Sequence, residues 1–144
     1  MKKALFLLMA LMLSLSVSAG TQRKVKLVGV WQQVQRDAQN GRQMNLPVWK
    51  VLQADGTFCV FLIADKSGQC IITNEGRYEV KNDSSLVERV TGSITDPSLV
   101  GIGNELTYKF IGKDEMHVTY RMPSATTDAN ETWVRVKLEW PKQH

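Results

Sequence analysis

Gly29-Val30-Trp31 opens the first strand-like run of the chain, Gly29 to Arg36, and the remainder of the sequence repeats its pattern. Val, Ile, Tyr, Phe, Trp and Thr recur in short alternating runs broken by Gly, Asn and Asp, the pattern of β-strands separated by turns. No helical run of three or more turns stands out. Trp31 starts its strand, and a large indole in that place is expected to pack in the interior rather than touch a ligand.

Upstream of this stretch the chain reads as an export signal. Lys2 and Lys3 precede a nearly unbroken apolar run from Ala4 to Val17. Val17-Ser18-Ala19 then places small residues where a signal peptidase cuts. Residues 1–19 are therefore expected to be a signal peptide, and residues 20–144 one domain in the periplasm or outside the cell. The run is shorter than the ~20 residues of a membrane span, so no stable span is expected after cleavage. A chain of 125 residues can bury roughly two thirds of its unfolded surface as a single core. Without Lys2 and Lys3, 16 of the 18 basic residues face 14 acids, and the formal charge falls from +4 to +2. The charges are scattered, with no basic cluster among aromatics, which argues against a nucleic-acid partner.

Downstream, eight strands are expected (eight to ten if any is split): 29–36, 46–53, 57–63, 70–80, 85–91, 105–111, 115–122 and 131–139. Asp55-Gly56 suits a two-residue hairpin turn, because its central residues favour positive φ. The isolated Gly76 suggests a bulge. Ser98-Leu99-Val100 could form one helical turn. The longer connections, after the first, third, fifth and seventh strands, alternate with tight turns. In an up-and-down antiparallel sheet all the longer loops then lie at one end, and eight strands can close into a barrel with room for one small ligand.

Period-two alternation assigns the faces. Leu106, Tyr108 and Phe110 share one side, as do Met116, Val118, Tyr120 and Met122, and as do Ile72, Gly76, Tyr78 and Val80; these sets are expected to point inward. In the first strand either Gln33 and Gln35 follow Trp31 inward, or a bulge changes the parity. Chain direction places Trp49, Phe61, Tyr108, Tyr120, Met122 and Trp133 toward the long-loop end as an expected apolar pocket with phenol hydroxyls. Glu75, Glu79 and Glu88 are expected on an exposed strand face. Cys59 and Cys70 lie on neighbouring runs; a disulfide and two free thiols both remain open.

Motifs for catalysis are missing. His117 and His144 form no metal-ligand pattern, and no nucleophile elbow, phosphate loop or dinucleotide fingerprint is present. His117 with Glu115 has a shared parity and no second signal. No catalytic residue, metal or cofactor is expected, and the reading is that the protein is not an enzyme.

Gly29-Val30-Trp31 and the strand count resemble the lipocalin-like (calycin) barrels. The resemblance implies that Gly29 and Trp31 close one end of the barrel, with a basic residue of the last strand across the indole. Arg135 matches that residue, although the expected pairing brings Lys137 at least as close. Motifs that several lipocalins carry near later loops are not found. More closely, the stretches 27–31, 50–56, 76–78 and 131–133 resemble a family of uncharacterised small exported proteins of Gram-negative gut bacteria, classed as lipocalin-like. That likeness implies fold and location but no activity. The expected function is binding of a small apolar or amphipathic molecule in the barrel. One alternative is an envelope interaction module that uses loops 92–104 and 123–130 on a protein or glycan. The other is a barrel enzyme acting on a small substrate.

Overall fold

The computed structural model describes residues 26–64 and 67–139. The expected signal peptide lies outside these residues. Eight strands form one closed antiparallel barrel in which each strand pairs with its chain neighbours and the last pairs with the first. They are β1 (Gly29–Arg36), β2 (Gln43–Leu52), β3 (Thr57–Ile63), β4 (Cys70–Val80), β5 (Ser85–Ser93), β6 (Gly103–Ile111), β7 (Glu115–Tyr120) and β8 (Ala129–Arg135). Closure leaves no unpaired sheet edge. Among the described residues no helix is long and apolar enough to cross a membrane.

The strand ends differ from the sequence expectation mainly at β2 and β8. β2 starts earlier because Gln43, Met44 and Asn45 pair with Arg36, Gln35 and Val34. The register breaks between Gln32 and Val34, opposite Pro47, a residue that cannot donate to a ladder and is tolerated at bulges. The side chain of Gln32 donates to the Leu46 carbonyl there, at 3.1 Å. β8 ends at Arg135 rather than Glu139. β4 is one strand, but it slips against β3 between Val60 and Phe61 and against β5 between Glu75 and Gly76. The first slip leaves Thr73 as an extra residue and reverses the face of the residues before it. Ile72, expected inside, is therefore 54% exposed. At Gly76 a β-carbon would meet the Arg89 carbonyl oxygen and backbone, so β4 and β5 can approach there only with glycine.

Trp31 closes the tight-turn end. It is fully buried with Leu27 and Leu52, its Nε1 donates to the Leu27 carbonyl at 2.8 Å, and its ring lies 6.1 Å from that of Phe110. Arg135 is its cross-strand partner, and the guanidinium carbon lies 4.2 Å from the indole centroid. The guanidinium also donates to the carbonyls of Val28 and Lys26. Gly29 has a φ of +149°, and a β-carbon there would collide with Arg135 Nη1. Lys137 instead points to solvent beside Asp114.

The Arg135 contacts predict that Arg135→Ala destabilises the barrel by about 2–3 kcal/mol, from a lost cation–π contact and lost charge-assisted bonds. Arg135→Lys should rescue little, because an ammonium cannot reproduce the planar fork that reaches two carbonyls. Urea denaturation of the three proteins checks both statements.

Candidate functional site

The other end of the barrel holds a cavity of about 340 Å³. Apolar walls come from Val48, Val60, Leu62, Val90 and Leu106, which alternate inward on their strands. The connection after β5 folds over the rim as a short 3₁₀ helix, Pro97–Leu99, whose N-cap Asp96 accepts from the Ser98 N–H at 3.0 Å. That turn delivers the buried Leu99 to the cavity.

The cavity also carries charge that residue type alone did not place inside. Lys50 and Glu88 are each 7% exposed and form an ion pair of 2.6 Å across the interior. Lys50 Nζ lies 5.4 Å from the Phe58 centroid and 5.6 Å from that of Trp133. Beside this pair, Glu131 accepts from the Tyr120 hydroxyl at 2.8 Å and from Trp133 Nε1 at 2.9 Å. Gln33 adds an amide to the lining. Burial, followed by the Glu131 charge and hydrogen bond, pushes the Tyr120 phenol well above its ordinary range.

Of the six residues expected to form the pocket, Tyr120, Met122 and Trp133 line this cavity. Trp49 and Phe61 do not: they pair across β2 and β3 with rings 6.2 Å apart, on the outer face. The cause is parity, since Lys50 and Phe58 take the inward positions of those strands. Tyr108 is buried at the opposite end, where its hydroxyl donates to the Asn82 carbonyl at 3.0 Å. Glu88, expected on an exposed face, is a correction of the same kind, because it shares the parity of the buried Leu86 and Val90. In β1 the inward glutamine and the bulge both occur: Gln33 faces the cavity, whereas Gln35 is exposed. Lys50 and Glu131 had the same signal available, lying between Val48 and Leu52 and two residues before Trp133.

Cys59 and Cys70 are free thiols. Cys59 is opposite Glu75 and Cys70 opposite Ile63, so four residues of register separate them, too far for a disulfide without backbone movement. Desolvation, followed by the Glu75 charge, raises the Cys59 thiol above its ordinary pKa, so it is a poor nucleophile. His117 meets Glu115 at 2.7 Å on the outer surface, away from the cavity lining.

Near the closed end the Tyr78 hydroxyl donates to the Gln53 carbonyl at 2.7 Å. Burial, followed by the Asp55 charge, pushes its pKa up to about 12. A group raised in the folded state contributes stability that is complete below its unfolded pKa of about 10 and is lost as pH climbs through the folded value. Unfolding free energy should thus fall steeply between about pH 10 and pH 12, and Tyr78→Phe should flatten part of that fall. Denaturant titrations at pH 9 and pH 11.5 measure it.

A family model described as Domain of unknown function (DUF4488) matches residues 26–143. No curated protein matches the chain.

Proposed function

We propose that this chain, which belongs to the DUF4488 family, binds a small amphipathic molecule in the long-loop end of its barrel. The observation that carries the reading is the cavity of about 340 Å³, apolar on its walls and lined by the Lys50–Glu88 pair and Glu131. Ligand pockets run from roughly 300 Å³ upward, mostly apolar with a few placed polar groups, so the volume suits a small ligand. The interior is polar in a way that mere core filling does not require: a buried ion pair is often no more stabilising than an apolar replacement.

The same reading includes export to the periplasm or beyond, supported by Lys2, Lys3, the apolar run 4–17 and the small residues 17–19. It keeps the protein as a binder rather than an enzyme and as a lipocalin-like barrel, the latter supported by the stacking of Arg135 on Trp31. A methyl-detected NMR screen of small molecules tests the binding claim. Hits should shift the Val48, Val60, Leu62, Val90 and Met122 methyls and leave outer residues such as Val51 and Val87 alone. Hits confined to the outer face, or none from a diverse library, would count against it.

A further inference from the structure

The charge on the cavity wall is unequal. Its lining includes one cation, Lys50, and two carboxylates, Glu88 and Glu131. Lys50 is already matched: it pairs with Glu88 Oε1 and sits against two aromatic rings. Glu131 is held by two neutral donors, an O–H and an N–H, which orient it without cancelling its charge. Glu88 has a second oxygen. No buried side-chain nitrogen or oxygen lacks a partner among the described residues, and Oε1 alone meets Lys50, so Oε2 keeps accessible surface, on a residue that lines the cavity. Two carboxylates, one on the buried Glu88 and one on the half-buried Glu131, therefore border a space whose other surfaces, the paired Lys50 apart, are apolar, aromatic or uncharged.

We propose that the ligand is a small organic cation, a protonated amine on a compact apolar body, with its ammonium received by Glu131 and by Glu88 Oε2. This rests on the reading that the cavity binds a small molecule. An anion placed in this cavity would share its wall with two carboxylates and meet an ammonium already paired with one of them, in surroundings where like charges repel more strongly than in water. A cation instead balances the wall, gains charge-assisted hydrogen bonds and lies among the ring of Tyr120 and the methyl groups of Val60 and Val90. The phenol of Tyr120 is raised first by burial, and after that by the Glu131 charge and hydrogen bond and, least, by the Glu88 charge.

The test is calorimetric titration of the full chain with three molecules of similar shape: 2-phenylethylammonium, 3-phenylpropanoate and 2-phenylethanol. The ammonium should bind at least about tenfold more tightly than either of the others, and Glu131→Gln should weaken it about tenfold while changing the alcohol less than about twofold. Equal or tighter binding of the carboxylate or the alcohol overturns the cation assignment and leaves the binding site standing. So does an ammonium affinity that Glu131→Gln leaves unchanged. If none of the three binds, the assignment falls, and an empty methyl screen takes the binding reading with it. Should Glu131→Gln fail to fold, the ranking of the three molecules on the unaltered protein still decides.

Discussion

Trp31→Ala is expected to lower unfolding free energy by about 3–5 kcal/mol, the range for removing a large aromatic from a well-packed core. At this chain length that corresponds to a fall in Tm of roughly 10–20 °C. The magnitude reflects the contacts of the indole. It is fully buried, donates to the Leu27 carbonyl, tilts against Phe110 and supports Arg135 on its face. Removing it opens one end of the barrel and leaves a buried carbonyl without its donor. Trp49→Ala is the control, since Trp49 lies half-buried on the outer face against Phe61. It should cost about 1 kcal/mol, in line with one aromatic pair. Denaturant unfolding of both variants separates closure of the barrel from general loss of aromatic surface; equal losses would contradict the assignment of Trp31 as the plug.

Lys50→Met should be nearly as damaging, at about 3–5 kcal/mol, because it strands the Glu88 carboxylate in the interior. Glu88→Leu should cost a similar amount by stranding the ammonium. The double variant Lys50→Met/Glu88→Leu is expected to recover most of the loss or exceed the unaltered protein, since two charges that had to be desolvated are gone. A double-mutant cycle in urea therefore yields a large positive coupling between residues 38 apart in sequence. The stabilised double variant should at the same time lose ligand binding. A pair whose removal leaves stability intact and function impaired is retained for recognition.

Much of the fold was legible in the chain. Alternation in β6 and β7 identified the inward faces through Leu106, Tyr108, Met116 and Val118, all of which are buried. The turn residues and the alternating loop lengths pointed to closure and to the end that carries the long loops. The single helical turn expected near Leu99 is present. The remainder was hidden for two physical reasons. Bulges slip the register by one residue and exchange faces, as Thr73 does for Ile72, and a bulge depends on the neighbouring strand as much as on its own sequence. Buried charges, moreover, are stable only through partners that lie far along the chain. Lys50 and Glu88 have the parity of core residues, but residue type argued for solvent until the strand pairing brought them to 2.6 Å. Trp49 and Phe61 erred in the opposite sense: aromatic character pointed inward, whereas the positions beside them had taken the interior.

The most direct test of ligand binding is a native mass spectrum of the protein purified gently from cells that make it. A stoichiometric small-molecule adduct, lost in the Lys50→Met/Glu88→Leu variant, is the predicted result. A clean apo mass, together with unchanged cavity methyl signals when small-molecule extracts of the same cells are added back, would contradict the claim that the barrel holds a ligand.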